Sequence, residues 1–174
     1  RHFVEASLSG AERLGLDSRA LLQEAGISPD LLRIEMARVS SDQFSKLMQV
    51  IWQRTGDEFM GMGPRRARSG TFATMCALVV GCQTLEEVYQ QAFRFSRLFE
   101  PMVSMELEIF GDRARLVTRI EGSIHDPDYF LRESILVIWH RLGSWLIGQP
   151  VELEKAEFDY PRPDHGDEYR HIFH

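Results

Sequence analysis

Arginines and aromatic rings crowd the segment Phe93-Arg94-Phe95-Ser96-Arg97-Leu98-Phe99. Arg94 and Arg97 stand three residues apart, so on a helix their guanidinium forks share a face. Such forks take a carboxylate through parallel hydrogen bonds, and Phe93, Phe95 and Phe99 can enclose the apolar part of the same molecule. The plainer alternative is a helix whose rings fill the core and whose arginines are exposed or paired. On the residues alone the plainer alternative is preferred.

A second set lies in the apolar run from Glu133 to Gly148. Glu133, His140 and Ser144 fall on one helical face, with Arg141 beside them. A buried carboxylate or imidazole must be paired or must face a wet cavity, because isolated burial costs several kcal/mol. Either the three form a polar strip, solvated or paired with an arginine of a neighbouring helix, or they wall a ligand pocket. Both readings stay open, the strip being the simpler.

Other groupings carry less. Arg65, Arg66 and Arg68 form the densest basic run, flanked by Gly63 and Gly70, and read as a solvated loop between helices. His165, His171 and His174, with Asp164, Asp167 and Glu168, are metal-ligand types without the tight spacing of a closed zinc site. No metal or cofactor is expected. GxSxG, HExxH, P-loop and GxGxxG patterns are absent, and neither cysteine has an electropositive setting. The chain is expected not to be an enzyme. Leu21 to Ser28 scans like a helix-turn-helix. The adjoining Pro29-Asp30-Leu31-Leu32-Arg33-Ile34-Glu35 lacks the polar and basic face of a recognition helix.

Several elements must position these groups. Asp17 caps a short helix through Leu21 and Leu22, with Gly26 as its left-handed stop, and Pro29 opens another turn. Ser40 and Gln43 are placed as a capping box for a helix striped by Phe44, Leu47, Met48, Ile51 and Trp52 and ended at Thr55-Gly56-Asp57. A further stripe runs Phe72, Met75, Cys76, Val79, Val80. Thr84 and Glu87 form another box, for a helix with Leu85, Val88, Tyr89, Ala92 and Phe93 inward. At Pro101 the period changes to two, and Gly111-Asp112 signals a hairpin. That turn sets Glu108 opposite Arg115, Leu107 opposite Leu116 and Ile109 opposite Ala114. Asp126-Pro127 starts a long helix over residues 128–147, ended by Gly148-Gln149-Pro150. Its inward row is Leu131, Ile135, Ile138, Leu142 and Trp145, flanked by Leu136, Trp139 and Leu146. Glu154 to Tyr160 is a third strand candidate, and Asp164 caps a final helix holding Tyr169, Ile172 and Phe173. The order predicts an α+β fold: N-terminal helices and one long buried helix on a small antiparallel sheet.

Bulk properties set limits. The 174 residues, 44 % hydrophobic and 26 % charged, suit a single globular domain. A helical part covers about 1–100 and a hairpin-helix-strand part about 101–174. The net charge of −6 argues against a nucleic-acid surface. Cys76 and Cys82 read as reduced, buried fillers of a cytoplasmic protein. No stretch approaches the roughly 20 apolar residues of a membrane span. Arg1-His2-Phe3-Val4 begins in mid-helix and His171-Ile172-Phe173-His174 ends in an apolar phrase, so truncation at both ends is expected.

A series of phrases carries a family resemblance. They are Leu14-Gly15-Leu16-Asp17, Leu21-Leu22 with Ala25-Gly26-Ile27, Thr55-Gly56-Asp57 with Gly61-Met62-Gly63, and Ser69-Gly70-Thr71-Phe72. Thr84-Leu85-Glu86-Glu87-Val88, Trp145-Leu146-Ile147-Gly148, Phe158-Asp159-Tyr160-Pro161-Arg162-Pro163 and Glu168-Tyr169-Arg170 continue the series. In this order they resemble the N-terminal effector domain of AraC-type transcription regulators, in the subgroup labelled "arabinose-binding". The resemblance implies a small-molecule effector, homodimerisation, and DNA binding only through a separate C-terminal helix-turn-helix domain missing here. It also implies a further strand beyond Phe173. It assigns no pocket residues. The residues themselves put the pocket between the sheet and the long helix, with Arg94, Arg97, Glu133 and His140 as polar contacts and Phe93 and Trp139 as aromatic ones. The alternative is a ligand-free dimerisation or protein-interaction domain.

Overall fold

The computed structural model describes residues 2–34, 37–99 and 102–173. Pro101, the expected change of period, lies outside the described residues, as do Arg1, Glu35 and His174. The described chain is α+β, with helices outweighing one hairpin. It divides into two compact units, Arg1–Phe130 and Leu131–His174.

In the first unit, α1 (His2–Arg13), α2 (Ser18–Glu24) and α3 (Ser41–Thr55) pack on one another. Asp17 accepts the Arg19 N–H, Gly26 turns left-handed at φ 72°, and both halves of the Ser40–Gln43 box form. Pro29–Arg33 is only a short 3₁₀ turn, too brief for a recognition helix. Leu8, Leu22, Ile27, Leu47 and Ile51 make the core of this layer. Gly56 ends α3 in the left-handed conformation, as its type predicts.

The loop after α3 is built around a buried carboxylate. Asp57, 1 % exposed, accepts the backbone N–H groups of Phe59 (3.0 Å), Gly61 (2.9 Å) and Ala67 (2.8 Å). Glu58 then accepts from Gly70 and Phe72, satisfying the first amides of α4 (Thr71–Val79). Backbone contact with α1 is close here: a Cβ on Gly10 would lie 2.2 Å from the Met60 carbonyl oxygen. Arg13 donates to the carbonyls of Gly61 and Gly63. Arg65, Arg66 and Arg68 lie on the surface, as a loop between helices requires.

α5 (Leu85–Ser96) packs against α4 on one side and β1 (Val103–Phe110) on the other. Thr84 caps it, but the Glu87 carboxylate takes the N–H of Gln83, one residue before the box would place it. β1 pairs with β2 (Arg113–Ile120) in the expected register, Glu108 opposite Arg115 and Leu107 opposite Leu116.

The second unit opens on α6 (Phe130–Ile147), preceded by a 3₁₀ turn at Pro127–Tyr129 and ended by Gly148 at φ 69°. The expected inward row is only half right. Leu131 and Ile135 are buried and Leu142 is half-buried, whereas Ile138 is 41 % and Trp145 72 % exposed; Trp139, expected on the flank, is buried. Periodicity tells which residues share a face, not which face finds company. Glu154 to Tyr160 forms no strand. Among the described residues the sheet has two strands, and without a ladder partner an extended segment is only coil. Phe158 and Tyr160 turn their rings into an aromatic cluster instead. Asp164 caps nothing: a 3₁₀ turn at Gly166–Glu168 leads into α7 (Tyr169–Ile172), started by the Gly166 N–H on the Pro163 carbonyl. No helix among the described residues is long and apolar enough to cross a membrane. Cys76 and Cys82 are unbridged and half-buried rather than fully buried.

Candidate functional site

An open groove of about 720 Å³ lies between α5 and β1 in the first unit. The α5 wall carries Glu87, Gln90, Gln91 and Arg94, a polar row at one-turn spacing that Arg97 continues in the 3₁₀ turn after the helix. The other wall is Glu106, Leu107 and Glu108. Phe93, buried at 3 % exposure, and Leu107 supply apolar surface between the charged groups.

Charge in this groove is divided rather than neutralised. Among the described residues no hydrogen bond or ion pair engages the guanidinium of Arg94 or Arg97. Glu106 and Glu108 reach away from α5 to Arg119 and Arg115 of β2, each at 3.4 Å with well-exposed side chains. Arg115 also lies 5.5 Å from the centre of the Phe110 ring. Exposed pairs of this kind contribute about 0–1 kcal/mol, so these carboxylates are held only weakly.

In the second unit the polar face of α6 has its own partners. Glu133, 3 % exposed, receives on Oε1 the hydroxyls of Tyr169 and Tyr160 and the ring Nε2 of His165 at 2.8 Å. Its Oε2 is buried and takes no donor among the described residues. The ring of Phe158 lies tilted 4.8 Å from that of Tyr169 and meets that of Phe173 edge-on at 5.5 Å. His140 donates from Nε2 to the Val151 carbonyl at 2.7 Å, while its buried Nδ1 has no partner among the described residues. Ser144 donates to the His140 carbonyl and accepts the Val151 N–H. Thus Glu133, His140 and Ser144 tie down the segment after α6, and Trp139 is buried on the same helix.

The six expected residues therefore fall into two sets. Phe93, Arg94 and Arg97 meet in the groove; Glu133, Trp139 and His140 sit on α6 of the other unit. Sequence reasoning missed Glu106 and Glu108 as the opposite groove wall, although their alternation on one strand face was a usable signal. It also missed Tyr160, His165 and Tyr169 as partners of Glu133. The signal there was general: a carboxylate in an apolar helix needs donors, and the segment after the helix carries them. His171 is exposed, and among the described residues no group of side chains is placed to hold a metal ion.

Burial, helped by the nearby Glu58 carboxylate, pushes the Cys76 thiol up, which makes it a poor nucleophile. Burial likewise raises the Tyr89 phenol.

Comparison with known proteins points to regulators. The chain is similar to the ornithine utilization regulator of Pseudomonas aeruginosa, 22 % identical over 172 residues, 98 % of this chain and 51 % of that protein. It spans about half the length of the curated relative it matches. No solved structure matches. The family described as the arabinose-binding domain of AraC transcription regulators, N-terminal, matches residues 15–174, and on that extent the chain belongs to this family of transcription-regulator domains.

Proposed function

We propose that this domain senses a small carboxylate-bearing metabolite in the groove between α5 and β1. Occupancy is passed to a DNA-binding half of the same regulator. The observation that carries the reading is the pair of unengaged guanidinium groups, Arg94 and Arg97, standing over the apolar surface of Phe93 and Leu107. Arginine forks are the side chains best matched to a carboxylate. An effector that binds one arrangement of the regulator more tightly than another shifts the population by its differential affinity. The domain works by binding, as a homodimer in the cytoplasm, and reaches DNA only through the other half of the protein. The relative's name, a regulator of ornithine utilization, makes amino acids the first class to try.

The test is a thermal-shift panel of amino acids, organic acids, fatty acids and sugars. At 100 times its dissociation constant a ligand stabilises by about 2.7 kcal/mol. For a chain of this size that raises Tm by about 5–11 °C. A dose-dependent rise for one class, lost in the Arg94→Gln/Arg97→Gln variant, is expected. A flat panel contradicts the reading.

A second reading draws on the exposed apolar residues Ile138, Trp145 and Ile147 of α6. They favour a ligand-free dimerisation or protein-interaction domain. A stable dimer that responds to no ligand and dissociates on Trp145→Ser would select it.

A further inference from the structure

Arg94 and Arg97 stand one turn apart on one side of α5 and the turn that extends it. Arg97 belongs to the 3₁₀ turn Arg97–Phe99 but keeps helical backbone angles, φ −63° and ψ −18°, so the helical spacing from Arg94 holds. Residues so placed have Cβ atoms about 5–6 Å apart. Among the described residues no partner engages either guanidinium group. The nearby carboxylates are committed elsewhere. Alternation along β1 sets Glu106 and Glu108 on the face opposite Leu107, where they meet Arg119 and Arg115 of β2 at 3.4 Å. Glu87 accepts the Gln83 N–H at 2.8 Å, two turns and about 10 Å back along α5 from Arg94.

From this we infer that the effector is a dicarboxylate with a short methylene chain. The inference rests on the effector-groove reading and names its ligand class. Each carboxylate takes one guanidinium fork, Arg94 or Arg97, through paired hydrogen bonds. The methylenes between them lie over Phe93 and Leu107, the apolar surface of the groove. Gln91, one turn before Arg94, offers its amide to a hydroxyl, oxo or amino substituent on that chain.

Charge and donor capacity narrow the class. Glu106 and Glu108 are balanced by the arginines of β2, so Arg94 and Arg97 leave uncompensated positive charge beside Phe93, and a dianion neutralises it. Each guanidinium presents five N–H donors, and one carboxylate has two oxygens to accept them. A monocarboxylate therefore fills one fork and leaves the other to water. A cationic ligand brings like charge against both forks. A phosphate monoester carries about two negative charges on one centre, whereas the forks arise a helical turn apart.

The experiment is calorimetric titration of this chain with glutarate and adipate, set against butyrate, which lacks the second acid, and glycerol phosphate. It is repeated on the single variants Arg94→Gln and Arg97→Gln, with circular dichroism confirming that each folds. A dicarboxylate is expected to bind at least about tenfold more tightly than butyrate, the worth of one charge-assisted pair. In either variant that ratio should collapse to about one, because the second acid then has no fork to meet. If butyrate matches the dicarboxylates and the variants weaken both, the second carboxylate is refuted while the effector groove stands. If glycerol phosphate binds most tightly and the variants weaken it, the dicarboxylate is again refuted and the groove again stands. If a dicarboxylate binds with its advantage intact in both variants, the inference and the groove are refuted together. If no dicarboxylate binds, the inference falls, and the wider ligand panel alone decides the groove.

Discussion

Replacing Asp57 by alanine removes the acceptor for three backbone N–H groups of the loop between α3 and α4. The Gly61 N–H is buried, and its loss of a partner costs about 1–3 kcal/mol. Those of Phe59 and Ala67 are partly solvated and lose less, about 1 kcal/mol each. The sum, about 3–5 kcal/mol, lowers Tm by about 6–20 °C for a chain of this length. Asparagine discriminates the mechanism. Its carbonyl can replace Oδ1 and keep Phe59 and Ala67, but its amide group meets the Gly61 N–H donor to donor. Asp57→Asn should therefore fall between wild type and Asp57→Ala. Thermal melts of the three proteins measure this. A shift under about 2 °C for alanine, which is under about 1 kcal/mol, would show that the loop does not depend on the carboxylate.

Packing and the displaced protonation equilibria give three further expected outcomes. Gly10→Ala drives a methyl into the Met60 carbonyl oxygen, which is backbone and yields little; it should cost about 1–3 kcal/mol by chemical denaturation, and a neutral result would refute the close approach. Cys76 and Tyr89 titrate above the ordinary 9.0 of a thiol and 10.0 of a phenol. The neutral forms are favoured in the fold, so stability is undiminished while both groups stay protonated in the unfolded chain. It declines as pH rises through the ordinary values toward the raised, folded ones, because the unfolded chain gives up its protons first. Urea melts between pH 8 and about 11 should show a decline that Cys76→Ser and Tyr89→Phe flatten; unchanged slopes would count against both. Glu133→Ala strands the hydroxyls of Tyr160 and Tyr169 and the ring of His165, costing about 2–4 kcal/mol, whereas Glu133→Gln keeps an acceptor and costs less. Hydrogen exchange across residues 158–173 reads the difference, and equal protection in both variants would contradict the assigned partners.

Features coded within a few residues were legible before the structure. The caps at Asp17 and Ser40, the left-handed Gly26 and the helix end at Gly56 depend only on a side chain, or a missing Cβ, and the adjacent backbone. The hairpin register follows from turn position and alternation alone. Features decided at long range were not legible. Asp57 looked like a helix terminator, but its third bond reaches ten residues on to Ala67. The partners of Glu133 lie 27 to 36 residues away, beyond any periodicity. The segment from Glu154 to Tyr160 has a strand-like composition at its end only, and no pattern in it states whether a partner strand exists. Arg94, Arg97 and Phe93 were visible as a recognition set because one helix carries them. Glu106 and Glu108 complete the groove from another element, and only packing joins the two.

Amide chemical-shift mapping of the isotope-labelled chain with its strongest stabilising ligand tests the central claim most directly. The account predicts shifts concentrated along α5 from Glu87 to Arg94, at Arg97 just after it, and on β1 at Glu106 to Glu108. Shifts centred instead on α6, or a stabilising ligand that leaves α5 and β1 untouched, would contradict it.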